Sequence, residues 1–182
     1  LHGSGVHKWW PYVAQAVARL LAHTPYKLVL AGGPVSLAQE GKIIDAARDW
    51  LGDSSRVFSM VDNGGIRKSI ELAKRAAVVV GPETGLMNAI ALDLAPKVAI
   101  LSHSAPSNLT DDWINTIGIP SRGCPESACH WLHHGWTHCH KHEPTGAALC
   151  AASLPVVEML DAIARAANMR DVAEQPLAEA AE

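Results

Sequence analysis

Several residue types and features are scarce in this sequence of 182 residues. Residues 1–123 contain no cysteine, which argues against a disulfide scaffold, because small secreted proteins of that kind spread their bridges through the fold. Charged residues make up only 18% and the formal net charge is -3, so we expect no nucleic-acid partner. No apolar run approaches the ~20 residues that cross a bilayer, and no signal peptide is recognisable. We therefore expect no membrane span and a cytoplasmic location.

The sequence does contain an alternation of strand and helix patterns. Apolar runs at residues 26–31, 56–61, 77–80 and 97–101 predict strands, and the run at 77–80 has no polar alternation, as in a parallel sheet buried on both faces. Helical spacing of apolar residues predicts helices between these runs, including one at 84–94. This alternation predicts a doubly wound parallel α/β sheet.

The pattern changes in the last third of the chain. The segment 108–150 is rich in Trp, His, Cys, Pro and Gly and has no periodicity. We therefore predict an irregular segment that needs a cross-link or a bound metal to be stable. Helical spacing returns at 151–167, which predicts a C-terminal helix of the same domain. We divide the chain into a core at 1–107, the irregular segment, this helix and a fraying tail at 168–182.

Glycine-rich turns follow three predicted strands, at residues 3–5, 32–34 and 81–85. Such turns meet at the carboxyl edge of a parallel sheet, where ligands bind. The turn before Leu86 also opens a predicted helix, whose first amide groups suit an anion. Lys8 stands near the first turn and is either a phosphate contact or an ordinary surface lysine.

All four cysteines lie close together in the irregular segment, as Cys124, Cys129, Cys139 and Cys150. Four thiolates can close a tetrahedral site for zinc or iron, and the metal would then stabilise the segment. Unrelated thiols and disulfides are the alternatives. Six histidines share the segment and are either further ligands or solvated side chains: His130, His133, His134, His138, His140 and His142.

Three motifs, in order along residues 1–105, resemble glycosyltransferase family 9, the heptosyltransferases. Gly-Pro-Glu-Thr-Gly-Leu-Met-Asn-Ala at 81–89 is similar to the donor-binding motif of the family, which is roughly Asp-Thr-Gly-Leu-x-His-x-Ala. Lys-Trp-Trp-Pro at 8–11 is similar to its Lys-x-Trp-Pro segment, and Gly-Gly-Pro at 32–34 matches the turn after its second strand. The resemblance implies the Rossmann-like C-terminal half of a GT-B fold.

The resemblance also implies roles for individual residues. Lys8 would contact the donor phosphates, and the amides of Thr84, Gly85 and Leu86 would bind the diphosphate. Glu83 replaces the family's Asp near the sugar hydroxyls, and Asn88 replaces its His. Gly33 belongs to the turn after the second strand, and Ser102 and His103, after a strand at the same edge, are further candidate contacts. An Asp-x-Asp motif is absent, so we expect no Mg²⁺ on the donor.

A second set of motifs is similar to the bacterial autotransporter heptosyltransferases. It comprises Leu-Ser-His-Ser at 101–104, Asn-Leu-Thr at 108–110, the four cysteines and Thr-Gly-Ala-Ala-Leu-Cys at 145–150. This resemblance implies iron on the cysteines, ADP-heptose as the donor and serines of an autotransporter adhesin as the acceptor. The residue chemistry alone leaves zinc equally acceptable.

The family resemblance places the catalytic base in an N-terminal domain. Residues 1–5 read like the end of a strand entering a loop, so we expect that domain upstream and an incomplete catalyst in this chain alone. Two other functions stay open: half of a nucleotide-sugar 2-epimerase, and a non-catalytic module that either binds nucleotide or serves as a metal-stabilised scaffold. A homo-oligomer is possible under each interpretation.

Overall fold

The computed structural model describes residues 6–129 and 139–173. Within these residues, helices and parallel strands alternate as the sequence predicts. The helices are Val13–His23 (α1), Leu37–Leu51 (α2), Gly65–Arg75 (α3), Gly85–Ala89 (α4), Pro106–Leu109 (α5), Leu149–Ala152 (α6) and Val156–Ala173 (α7). The strands are Leu28–Leu30 (β1), Val57–Ser59 (β2), Val79–Pro82 (β3), Lys97–Ile100 (β4) and Thr116–Ile119 (β5).

The strands form two parallel sheets. β1 pairs with β2, with Leu28 opposite Val57. β3, β4 and β5 form the second sheet in that order, with Val79 opposite Lys97 and Lys97 opposite Thr116. The predicted parallel α/β fold is therefore confirmed, although its strands are divided into a two-stranded and a three-stranded sheet.

The main apolar core lies between these strands and helices α1 and α7. Val98 and Ile100 of β4 pack there with Val17 of α1 and Met159 of α7. A smaller cluster around Met87 and Leu101 covers the opposite side of the same sheet. All four residues of β4 are buried, which agrees with the unbroken apolar run that predicted this strand.

Side chains fix the ends of several elements. Trp10 is buried, and its Nε1 donates a hydrogen bond to the Leu154 carbonyl at 3.0 Å, which ties the start of α1 to the start of α7. The Arg56 guanidinium donates to carbonyl oxygens at the end of α1, including that of Thr24 at 2.7 Å. Gly52 ends α2 with φ of 68°, a left-handed conformation that favours glycine.

Three predictions of secondary structure are wrong. The C-terminal helix predicted at 151–167 is interrupted, because the chain forms α6 and α7 separately, and α7 continues to Ala173 within the predicted tail. The helix predicted at 84–94 ends at Ala89, since Ile90 leaves helical geometry with φ of -107° and ψ of 13°. The chain then turns towards Pro96, and the Asp93 carboxylate accepts the Ala95 amide at 3.0 Å in this turn. The segment 108–150 is not irregular throughout, since β5 at Thr116–Ile119 pairs with β4. β5 contains a glycine and only two isoleucines, too short a pattern to separate from the surrounding loop.

Candidate functional site

A large cleft opens at the carboxyl edge of the strands. Its volume is about 840 Å³, within the range typical of small-molecule sites. Seven of the predicted binding residues line it together: Lys8, Gly33, Glu83, Thr84, Gly85, Leu86 and Asn88. The chain thus brings residues from three separate turns to one wall, as parallel strand topology requires.

Lys8 lies directly beside the turn that opens α4. It ends a short 3-10 turn at Val6–Lys8, is partly buried, and its Nζ donates a hydrogen bond to the Glu83 carbonyl oxygen at 2.5 Å. This contact leaves two of the three ammonium donors available to a ligand. A fixed positive charge therefore sits on the cleft wall next to the peptide that joins Glu83 to Thr84.

The backbone turns into α4 immediately after this contact. Thr84 is extended, with φ of -131° and ψ of 168°, and helical geometry begins at Gly85. The first amide groups of a helix have no partner within it, so the chain presents donors at Gly85 and Leu86 on the cleft wall. Asn88 is exposed, but its Nδ2 donates to the Thr84 carbonyl at 2.9 Å, which fixes the first turn of the helix.

Two glycines of the cleft face open space. A Cβ atom built on Gly33 or on Gly85 would meet no atom within 4 Å, and neither residue has a left-handed φ. Packing and backbone strain therefore do not require glycine at these positions. A bare backbone here allows a ligand to approach the main chain closely, which is a common reason for glycine in binding turns.

Glu83 has a different environment from the one that the family resemblance implies. Its side chain is 4% exposed, and Oε1 accepts hydrogen bonds from the amides of Ser102 and His103, the latter at 3.1 Å. The Ser102 hydroxyl donates to the same oxygen at 2.9 Å. The carboxylate is thus directed into the protein, where it joins the end of β3 to the end of β4.

Burial alone would raise the pKa of Glu83. Hydrogen bonds from His103, Ser104 and Ser102, together with the nearby His103 ring, outweigh burial and lower it to about 2. The carboxylate is therefore ionised at neutral pH and holds these groups in place. This environment suits a positioning residue better than a contact to sugar hydroxyls.

Ser102 and His103 lie behind the cleft rather than on its wall. Both are 3% exposed, and both line a small second cavity instead. The His103 ring meets the His7 ring edge-on, with centroids 5.1 Å apart. The pKa of His7 is lowered to about 4 by burial and by the neighbouring His103 and Lys8, so His7 is neutral at pH 7. The predicted direct contact of Ser102 and His103 with a donor does not match this placement, since the Glu83 carboxylate draws both residues inward.

The second cavity brings the four cysteines together. Its volume is about 30 Å³, and all four line it with His7, Ser102, His103, Glu126, His140 and Ala148. The four thiols are free. Burial and the neighbouring Cys124 and Cys139 raise the pKa of Cys150 to about 12, and burial likewise raises that of Cys139. A cation in this cavity would relieve the mutual repulsion of the thiolates.

The thiols do not form a closed coordination shell in this structure. Within residues 6–129 and 139–173, no group of three or more His, Cys, Asp or Glu side chains is arranged tightly enough to hold a metal ion. His140 lies on the cavity, with Nε2 3.5 Å from a Glu126 oxygen, and His142 Nδ1 is 2.8 Å from the Thr145 hydroxyl. The other four histidines of the segment, His130, His133, His134 and His138, lie outside the described residues.

One polar turn of the cleft was not among the predicted binding residues. Asp62 follows β2, is exposed on the cleft wall, and its amide donates to the Gly32 carbonyl at 2.8 Å. Gly64, with φ of 113°, and Gly65, with φ of 65°, complete the turn before α3. The sequence does contain a pattern that indicates this turn, because Asp-Asn-Gly-Gly at 62–65 follows a predicted strand in the same way as the other glycine turns. Glu40 and Ser69 also line the cleft, but no sequence pattern around either residue indicates a binding role.

The fold is similar to solved glycosyltransferase structures. The chain aligns with the ADP-heptose lps heptosyltransferase II of E. coli with a TM-score of 0.65 and 17% sequence identity, over 92% of this chain and 44% of that chain. The glycosyl transferase family 9 protein from Veillonella parvula DSM 2008 aligns with a TM-score of 0.64 and 16% identity, with the same coverages. The chain thus spans less than half the length of these structures.

No protein-family model and no curated protein matches the sequence. Among the described residues, no helix is long and apolar enough to cross a membrane. At these identities the structural similarity establishes the fold: this chain has the α/β architecture found in heptosyltransferases of glycosyltransferase family 9.

Proposed function

We propose that this chain is the donor-binding half of a glycosyltransferase of the heptosyltransferase type. One observation carries the proposal: the Lys8 ammonium is 2.5 Å from the Glu83 carbonyl, at the start of the amides of residues 84–86. Both lie on the wall of one 840 Å³ cleft, at the edge where parallel sheets bind ligands. The similarity of fold to two glycosyltransferases supports the same interpretation.

The chemistry of glycosyl transfer suits these groups. Cleavage of a nucleotide sugar leaves negative charge on the departing diphosphate, and a fixed ammonium with preoriented amide donors stabilises that charge. Gly33 and Gly85 leave room for the phosphates to approach the backbone. Asp62 offers a carboxylate on the same cleft, suited to accept hydrogen bonds from ribose or sugar hydroxyls.

The finer parts of the proposal rest on the motif resemblance. They are ADP-heptose as the donor, a protein such as an autotransporter adhesin as the acceptor, and a catalytic base in an N-terminal domain. We infer that the chain alone binds nucleotide without completing transfer.

We also propose that Cys124, Cys129, Cys139 and Cys150 hold one structural metal ion, iron or zinc. The convergence of four soft ligands on one 30 Å³ cavity supports this, and thiolates prefer these metals. When bound, the metal would link the segment before Cys129 to the start of α6. Since the cavity adjoins Ser102 and His103, the metal would also support the network that holds Glu83.

Calorimetry of nucleotide binding tests the main proposal. If the diphosphate is the recognised group, the purified chain binds ADP at least 10-fold more tightly than adenosine, because a charge-assisted phosphate contact contributes about 1.5–3 kcal/mol. Equal affinities for ADP and adenosine would show that the chain recognises the base instead of the diphosphate. No binding of ADP or adenosine would favour a non-catalytic, metal-stabilised scaffold that does not bind nucleotide.

A further inference from the structure

Three large apolar side chains are exposed at the amino edge of the sheet β3-β4-β5, opposite the ligand cleft. Leu92 is 73% exposed and Leu94 is 68% exposed, both in the loop before β4. Ile114, in the loop before β5, is 39% exposed. Single exposed leucines are ordinary on a protein surface, whereas adjacent ones mark an interaction surface.

Hydrogen bonds hold these two loops side by side. The Ile114 amide donates to the Ala91 carbonyl at 3.0 Å, and Asn115 Nδ2 donates to the Leu94 carbonyl at 2.8 Å. The contact continues into the strands, since the Lys97 amide donates to the Asn115 carbonyl at 2.8 Å. The three apolar side chains therefore form one cluster on a fixed backbone, the edge cluster.

Basic side chains lie at one end of the edge cluster. The last turn of α3 carries Lys74 and Arg75, which are both exposed. The chain then enters β3, where the Val79 amide donates to the Pro96 carbonyl at 2.8 Å, at the end of the loop before β4. Lys74 Nζ lies 3.3 Å from a Glu71 oxygen, but an exposed pair of this kind is weak in water and leaves the basic end available to a partner.

Acidic side chains lie at the other end of the edge cluster. Asp111 and Asp112 follow α5 and are both exposed, just before the loop that leads into β5. Leu109 and Trp113, on either side of them, pack against the smaller apolar cluster that also contains Ala73 of α3. The basic end, the edge cluster and the acidic end therefore lie in a row on one side of the sheet, in the order of β3, β4 and β5.

A row with opposite charges at its two ends is complementary to a second copy of itself. A two-fold axis through the edge cluster, at right angles to the row, places the basic end of each copy against the acidic end of the other. The same rotation joins the two edge clusters and removes their apolar side chains from water. The charges at the ends favour this arrangement over the one that pairs like ends, because like charges would repel at both.

We propose that the amino edge of the sheet binds a second copy of this chain in a symmetric dimer. The two edge clusters form the centre of the interface, and each basic end faces the acidic end of the other copy. Segments 74–78, 91–96 and 110–115 contain fewer residues than the ~20–30 per partner of a standard interface, so we expect a dissociation constant in the micromolar range. The ligand cleft at the carboxyl edge stays open, and the proposal stands whether or not a nucleotide binds.

Sedimentation velocity of the full chain between ~1 and ~200 µM measures this dimer. Two variants reverse one end each: Lys74→Glu with Arg75→Glu makes both ends acidic, and Asp111→Lys with Asp112→Lys makes both ends basic. We expect each variant alone to dimerise about 10-fold or more weakly than the wild type. An equimolar mixture of the two variants should dimerise like the wild type, because opposite charges then meet at both ends.

Two further variants separate the surface from general effects of charge. Arg48→Glu with Arg165→Glu is the matched control, since both arginines are exposed on α2 and α7 and the net charge changes as much as in the reversal of the basic end. This control should dimerise like the wild type. Leu94→Ser alters the edge cluster at an exposed position that the fold does not need, and we expect it to weaken the dimer by about 10-fold or more.

Three results would overturn the proposal. The first is a wild-type chain that stays monomeric through the whole concentration range. The second is a dimer that both charge variants retain unchanged, which would place the contact on another surface. The third is an equimolar mixture of the two folded variants that stays monomeric. Where circular dichroism shows that a charge variant is unfolded, equal dimerisation of Leu94→Ser and wild type contradicts the proposal instead.

Discussion

Glu83 connects the cleft to the cysteine cavity through two of its oxygens, one on the backbone and one on the side chain. Its backbone carbonyl accepts the Lys8 ammonium, while Oε1 accepts the amides that follow β4. Glu83 therefore positions the Lys8 ammonium on the cleft. It also positions Ser102 and His103 beside the cysteines. The side chain acts by positioning its neighbours.

Glu83 should make stability depend on pH in the acid range. Its pKa is about 2 in the folded chain and 4.5 in the unfolded chain, so its contribution is complete above pH 4.5 and is lost as pH falls towards 2. The size is on the order of 3 kcal/mol. We expect Glu83→Gln to lower the thermal midpoint at pH 7, with the difference from wild type shrinking towards pH 2.5.

Thermal unfolding between pH 2.5 and 7 measures this effect. Glu71→Gln is the control, since its carboxylate lies on the surface with Lys74. A constant difference between Glu83→Gln and wild type across this range would show that the Glu83 charge does not stabilise the fold.

At the residue scale, the sequence predicted backbone positions better than side-chain directions. Gly33 and Gly85 lie on the cleft because glycine turns follow strands, and strand ends meet at one edge. Ser102 and His103 follow a strand at the same edge, yet their side chains turn inward to the Glu83 carboxylate. Their direction depends on a contact 19 or 20 residues away, which local spacing does not encode.

At the element scale, the sequence predicted strands with unbroken apolar runs and missed those without them. β4 contains only apolar residues after Lys97 and was therefore predicted from the sequence. β5 lies between loops and has no such run, and it was not predicted. β5 depends on its neighbours: a Cβ on Gly118 would overlap the Thr110 hydroxyl and lie 3.3 Å from Leu101. Close packing, rather than local preference, determines this strand.

The segment that carries the cysteines should bind about one metal ion per chain. We expect Cys150→Ser to lose the metal and to lower the thermal midpoint, because metal binding contributes folding energy. Glu126→Gln is a matched control, since Glu126 lines the same cavity without a thiolate and should retain the metal. Elemental analysis gives the amount of metal per chain. A visible spectrum then distinguishes iron, whose complex with four thiolates is coloured, from zinc, whose complex is colourless.

Intact thiols in a purified chain without metal would contradict the metal proposal. Equal metal content in the Cys150→Ser and wild-type chains would exclude Cys150 as a ligand. Circular dichroism of each variant confirms that it is folded.

At the scale of the whole molecule, the alternation of helices and apolar strands was enough to predict the parallel α/β fold. The division into two sheets was not predictable, because the sequence pattern shows which segments are strands and not which edges remain open. The edges of β1 and β3 became visible only through their hydrogen bonds. Their separation explains why the cleft extends into the apolar interior.

We propose that a cationic side chain and the backbone at the start of α4 bind a diphosphate together. Titration of ADP into wild-type chain and into Lys8→Ala tests it most directly, with Lys27→Ala as the matched control, because Lys27 is exposed and outside the cleft. We predict that Lys8→Ala weakens ADP binding by about 10-fold or more, and that Lys27→Ala leaves it unchanged. An ADP affinity in folded Lys8→Ala equal to that of wild type would contradict the claim.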